Sequence, residues 1–279
     1  MNTLEFCLIL WLGAFVAGLL GALTGLGGGV VIVPLLVLFS VDIRYAIGAA
    51  LVSVIATSSG AAAAYVKEGW ANIRVGMFLE LATTFGAVTG AYLATTVLHS
   101  TAIEIIFGFV LLISSFLSLR HRAHHDRQDE GPDPLATRLR LNGTYPTPHG
   151  RQPYHVRHVP LGFGLMYVAG ILSGLLGIGS GALKVLAMDQ AMRLPFKVST
   201  TTSNFMIGVT AAASAGLYLH QGYVDPGLAM PIMLGVLPGA LLGTTVLARA
   251  QTRWLRLLFG GVLIALAAQM IFNGFAGRL

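Results

Sequence analysis

Two short stretches of this chain carry residue types that could hold an anion. Gly25-Leu26-Gly27-Gly28-Gly29 and Gly177-Ile178-Gly179-Ser180-Gly181 interrupt apolar sequence with residues that readily end a helix. Breaking a helix in hydrocarbon frees backbone N–H and C=O groups, and the break persists only where protein, water or a ligand pairs them. The arms that follow start near Val30 and Ala182. A helix start aimed into the protein offers free N–H groups and a positive dipole end. Glycines also let membrane helices pack closely, but their recurrence at two corresponding positions favours a site. The candidate anion contacts are Gly25, Gly27, Gly28 and Gly29 in the first break, and Gly177, Gly179, Ser180 and Gly181 in the second.

Polar side chains near the second break extend the candidate site. Lys184 follows Gly181 by three residues; it either faces an anion or a water cavity, or snorkels to the interface. The run Val198–Met206, "VSTTTSNFM", brings six consecutive hydroxyl or amide side chains, among which Thr201, Thr202 and Asn204 are the candidate contacts. Hydroxyls donate to an oxyanion without carrying charge, which suits a ligand that must leave; the same residues serve ordinary capping and interhelical bonding. The corresponding stretch of the first half, "IGAALVS", is almost without hydroxyls, so the second half carries more of the expected contacts. Glu80, about five residues into an apolar run, is the candidate to carry a coupling proton, and its partner is expected on another helix. Glu104 reads as a first-turn acid, and Asp189 with Arg193 as a local i, i+4 pair.

The elements that must position these residues are set by composition. Of 279 residues 55% are hydrophobic and 10% charged, with a mean hydropathy of +0.77. A soluble domain carries about 25% charged residues, so this chain cannot cover itself with polar surface. Apolar runs at 6–40, 45–66, 75–98, 102–119, 160–192, 196–219, 227–248 and 254–276 are long enough to be membrane helices. They lack the alternation of a β-barrel. The expected class is an all-α polytopic membrane protein held in a lipid bilayer. The start, Met1-Asn2-Thr3-Leu4-Glu5, has no basic region before the first run, which is read as retained and not as a signal peptide. One cysteine, Cys7, excludes an intrachain disulfide and a cysteine-based zinc site.

The basic residues concentrate in a polar, His-, Arg- and Pro-rich stretch, residues 120–158, between a first repeat at 1–119 and a second at 159–279. Basic residues beside membrane segments set orientation, so a nucleic-acid partner is not expected and the linker is placed in the cytoplasm. The halves match in order and near-constant spacing. Phe15-Val16-Ala17-Gly18 lines up with Tyr167-Val168-Ala169-Gly170, Gly86 and Gly90 with Gly235 and Gly239, and Phe107-Gly108 with Phe259-Gly260. Eight simple spans would leave Arg193, Lys197, Arg249, Arg253 and Arg256 outside, against the positive-inside rule. Residues 6–40 as one helix would also be about 50 Å long against a core of about 30 Å. Splitting each first run at its glycines into a hairpin, followed by three crossings, removes the conflict and inverts the second half. The expectation is two inverted repeats, each a Gly-broken hairpin plus three transmembrane helices, 8–10 membrane segments in all. Broken helices at corresponding places in inverted halves point to a secondary transporter's site.

The Gly-x-Gly-Gly-Gly break, its Gly-x-Gly-Ser-Gly echo and the following Ser/Thr cluster resemble the sulfite exporter family, the TauE/SafE type, also called toluenesulfonate uptake permeases. The likeness covers both apolar halves but not the linker. It implies an inner-membrane carrier of a small anion, a sulfur-containing oxyanion or sulfonate. Where members often read Gly-Thr-Ser-Leu, this chain reads Gly48-Ala49-Ala50-Leu51, and two hydroxyls are lost. A passive anion channel is the alternative. An intramembrane serine protease is not expected, since Ser180 misses the Gly-x-Ser-Gly spacing, so no enzyme activity is assigned. His121, His124, His125, His149, His155 and His158 fall in the linker, read as solvated, so neither a metal nor another cofactor is expected. Gly-rich faces and Arg-rich ends suit a monomer or a homodimer.

Overall fold

The structure is a computed structural model, and it describes residues 3–24, 28–67, 69–119, 133–147, 150–247, 261 and 264–272. The first half folds as α1 (Thr3–Thr24), α2 (Gly29–Leu38), α3 (Ile43–Lys67), α4 (Ile73–Tyr92), a π turn at Leu93–Val97, and α5 (Ser100–Leu119). The second half follows the same plan: α7 (Val159–Leu176), α8 (Gly181–Leu186) running into a π turn at Ala187–Ala191, α9 (Phe196–His220) and α10 (Pro226–Leu247). A last helical segment at 264–272 packs on α5, where Gly108 meets Ala267 and Ile271. Among the described residues four helices are long and apolar enough to cross a membrane: Glu5–Ala22, Ile73–Val97, Val159–Leu176 and Pro226–Gly243. α3 and α9 have 25 residues each, about 38 Å of helix, but serines and threonines dilute their apolar character.

The bundle is apolar on its outside. α4 exposes Met77, Leu81, Phe85 and Val88 at helical spacing, while Gly76, Ala82, Gly86, Ala87 and Gly90 turn inward. In lipid an apolar surface costs nothing, so helices associate through close contact of small residues. α4 and α7 illustrate this. A Cβ on Gly90 would collide with the Ile171 carbonyl, one on Gly170 with Thr83, and one on Gly174 with Ala87. Gly235, Gly239 and Gly243 of α10 sit in the same way against Trp11, Phe15 and Leu19 of α1.

These contacts also give each helix its direction. Residues 83 and 87 face 170 and 174, so α4 and α7 run parallel; 11, 15 and 19 face 235, 239 and 243, so α1 and α10 do too. α9 runs parallel to α4, since Thr202 receives the Asn72 N–H and Thr210 reaches Glu80. It runs antiparallel to α3, whose Gly48 abuts Tyr223 while Ser58 abuts Gly208. Two successive long helices, α7 and α9, therefore point the same way, so the chain must come back between them through α8. α3 and α10 both begin beside Tyr223, which takes a hydrogen bond from Arg44 and packs edge-on against Tyr45. α1 and α3 are thus parallel as well, and α2 is the returning arm.

Two expectations are corrected here. The chain is not wholly α-helical: residues 133–147 and 150–158 contain a short helix, α6 (Pro134–Arg138), and two antiparallel strands, β1 (Gly143–Thr147) and β2 (Gly150–Tyr154). This part of the linker is docked and not simply solvated. Asn72, which caps α4, donates its side-chain amide to the Leu141 carbonyl at 3.0 Å and to the Tyr154 hydroxyl at 2.7 Å. Leu141, Tyr154 and Val156 join Val75, Leu79, Met188 and Val198 in one core. Burial lifts the Tyr154 phenol above its usual ionisation range. His121, His124, His125 and His149 lie outside the described residues. The second correction is Glu104. It is the fifth residue of α5, 3% exposed, with Oε1 lacking a partner among the described residues. It therefore lies past the first turn, in the interior, and is not a first-turn acid.

Candidate functional site

The two breaks meet at the centre of the bundle. Gly177 closes α7 in the left-handed region, φ 67°, and its N–H bonds the Ser173 carbonyl at 2.9 Å. Gly179, φ 69°, lets the chain pass Ile207 of α9 and Val54 of α3, where a side chain would meet Ile207 at 2.7 Å. From the other half, Gly29 opens α2 with its Cα against the Gly177 carbonyl; a Cβ there would sit 2.6 Å from that oxygen. Gly28 rests on Val236 and Ala17. Gly25 and Gly27 lie outside the described residues. Gly181 opens α8, and its carbonyl receives the Ser203 hydroxyl at 3.3 Å.

Ser180 holds a left-handed φ of 42°, which a non-glycine residue adopts at a cost of roughly 1 kcal/mol. Its hydroxyl donates to the Ala169 carbonyl at 2.6 Å, lacing the break to α7. The following arm is six residues of α8 from Gly181, then the π turn. A helix of one and a half turns has little macrodipole, so fixed charge matters more than helix ends here.

That charge is Lys184. It does not snorkel: the side chain is fully buried, and Nζ donates to Thr210 Oγ1 at 2.5 Å. Thr210 in turn donates to Glu80 Oε1 at 2.7 Å, and Thr84 supports the same carboxylate oxygen at 3.3 Å. Glu80 is 7% exposed, and its Oε2 has no partner among the described residues. A lysine and a carboxylate from opposite halves of the chain are thus joined through one hydroxyl, about midway along α9. Buried charge is tolerated only when it is compensated in this way.

The other candidate hydroxyls are used differently. Thr201 donates to its own helix, to the Lys197 and Val198 carbonyls, as a capping or packing residue does. Thr202 is fully buried but serves the start of α4, accepting from the Asn72 N–H at 3.0 Å. Neither is joined to the breaks. Asn204 is 6% exposed. Thr210 is the member that sequence reasoning missed. A threonine in mid-helix is ordinary, and only its placement opposite Glu80 gives it a role.

Away from this centre, an apolar groove of about 400 Å³ between α1 and α2 is lined by Ile9, Leu12, Val16 and Leu35 and belongs to the lipid-facing surface. An apolar exterior, arms that return through the bundle, and a charged cluster shut inside it make the construction of a membrane transporter. The chain belongs to the sulfite exporter TauE/SafE family, whose model matches residues 10–270. Similar proteins include the probable membrane transporter proteins YunE of Bacillus subtilis, 29% identical over 97% of this chain and 99% of that one, and YjnA of the same species, 27% identical over 94% and 98%. The probable membrane transporter protein MJ0441 of Methanocaldococcus jannaschii is 23% identical over 93% and 94%. No solved structure matches the chain.

Proposed function

We propose that the protein is a secondary transporter of a small anion, a sulfur-containing oxyanion or sulfonate, working by alternating access across the inner membrane. The observation that carries this reading is the buried ammonium of Lys184, one turn beyond a glycine break that touches its counterpart from the other half. The anion is held by Lys184 Nζ, by backbone N–H groups freed at the breaks, and by the Asn204 amide. Glu80 is the coupling residue. Antiparallel α3 and α9 support two inverted repeats, each a hairpin followed by three crossings, with the 120–158 linker in the cytoplasm. Parallel packing of α4 with both α7 and α9 supports the same plan, since eight simple spans would set α4 against α9.

A passive channel is the competing reading, and burial of the whole cluster favours a carrier. Counterflow separates the two. Proteoliposomes holding the full chain and loaded with unlabelled toluenesulfonate should transiently concentrate the labelled anion supplied outside. Equilibration without overshoot indicates a channel. No flux of toluenesulfonate, sulfite or thiosulfate removes the anion assignment.

A further inference from the structure

Thr210 has one hydrogen and sits between two charges. Lys184 Nζ donates to its oxygen, so its own hydrogen is left for an acceptor. Glu80 Oε1 at 2.7 Å and the Met206 carbonyl at 2.9 Å both lie in reach. The carboxylate is the stronger acceptor because it is charged. Thr83 Oγ1, at 3.5 Å, is a poor competitor. The second carboxylate oxygen, Oε2, is buried with no donor among the described residues. The cluster is therefore charge-balanced but incompletely bonded, with one acceptor position left over.

We infer that Lys184, Thr210 and Glu80 form a charge-exchange switch in which one anion and one proton load together. The inference rests on the anion site proposed above. In the empty carrier, Lys184 and Glu80 compensate each other through Thr210, and the bundle can change its facing side with no unbalanced buried charge. An arriving anion takes over the compensation of Lys184. Glu80 is then an unpaired carboxylate in a low-dielectric interior, and a proton from the open side binds Oε2. The loaded form is again balanced: anion with ammonium, carboxyl neutral. Forms holding only the anion or only the proton carry unbalanced charge through the bilayer and do not reorient, which is what couples the two fluxes.

Other ionisable groups around Glu80 do not substitute for Lys184. On α4 itself Arg74 and Tyr92 stand at the two ends. α7 brings Tyr167, whose hydroxyl meets Thr89. α9 brings Lys197, stacked over Trp70, Tyr218, bonded to the Gly174 carbonyl, and His220 at its end. The turn after α8 brings Asp189. Only Lys184 acts on Glu80 through its charge among the described residues.

The test is proton uptake on binding, measured on the purified full chain with toluenesulfonate, a monoanion that stays ionised near neutral pH. Titration calorimetry in buffers of different ionisation enthalpy counts the protons. The expected result is about one proton taken up per anion bound, with affinity rising up to about tenfold per unit fall in pH. Glu80→Gln should abolish the pH dependence. Thr210→Val should reduce uptake while Thr210→Ser keeps it, and Glu80→Gln carries the test should Thr210→Val fail to fold. Binding with no proton uptake, or uptake that persists in Glu80→Gln, overturns the switch and leaves the anion site standing. No binding of toluenesulfonate overturns the anion site and the switch with it.

Discussion

Removing both charges from the central cluster should cost about as much as removing one. In Lys184→Met the Glu80 carboxylate remains, 7% exposed, with hydroxyl donors such as Thr210 and Thr84 but no cation. Stripping one partner from a buried pair typically costs about 3–5 kcal/mol, because the remaining charge is uncompensated. The interaction itself follows from the bridge. Nζ and Oε1 are joined through one oxygen by contacts of 2.5 and 2.7 Å, which puts the charges roughly 5 Å apart. At an effective dielectric constant of about 20, two unit charges at that separation attract by about 3 kcal/mol. Lys184→Met and Glu80→Gln should each destabilise by that order, and the double variant should lie about 3 kcal/mol above the sum of the singles. The assay is reversible unfolding in mixed micelles by denaturing detergent, followed by tryptophan fluorescence. If the double variant is as unstable as the two singles added together, Lys184 and Glu80 are not partners and the central cluster has been misread.

Other perturbations reach separate parts of the account. Gly90→Ala pushes a methyl into the Ile171 carbonyl across the α4–α7 seam, and overpacking of this kind should cost about 1–3 kcal/mol, read as a lowered midpoint in the same unfolding assay. Ser180→Ala leaves the Ala169 carbonyl without its donor, so stability should fall by about 1 kcal/mol with membrane insertion unchanged. Burial raises the ionisation of Tyr154 above its ordinary 10.0. Asn72 donates to that oxygen in either form, so what is lost as pH climbs is the burial of a neutral phenol: the docking is at full strength below the ordinary range and weakens above it. Fluorescence of Trp70, 6.1 Å from Tyr145 of β1, should change above about pH 10 in the native protein and not in Tyr154→Phe. In a Cys7→Ser background, Gly222→Cys should be labelled by an impermeant maleimide from outside and Arg151→Cys only from inside; the reverse labelling would invert the proposed topology.

What could be read from the chain, and what could not, divides along physical lines. Membrane character is a property of composition, and helix breaks are a property of glycine. Both are local, so the split of residues 6–40 into α1 and α2 around the glycines was legible. The direction of each helix was legible only indirectly, through the placement of basic turns. Contacts across the bundle were not. Thr210 looks like any helix threonine until α4 is laid parallel to α9, and Lys184 could snorkel or turn inward until its neighbours are known. Thr201 and Thr202 were singled out because hydroxyls clustered, yet a hydroxyl in a helix often bonds its own backbone, as Thr201 does. The linker misled for the opposite reason. Polar residues suggested a solvated loop, whereas Asn72, Leu141 and Tyr154 tie its described part to the bundle.

The measurement that bears most directly on a Lys184-centred anion site is ligand-induced stabilisation of the purified protein by sulfite, sulfate, thiosulfate, toluenesulfonate and acetate. A ligand that binds only the folded state at a hundred times its Kd adds about 2.7 kcal/mol. The account predicts selective stabilisation by a sulfur oxyanion or sulfonate, absent in Lys184→Met when each variant is compared with its own ligand-free state. Stabilisation that survives in Lys184→Met, or none with any of the five anions, would contradict it.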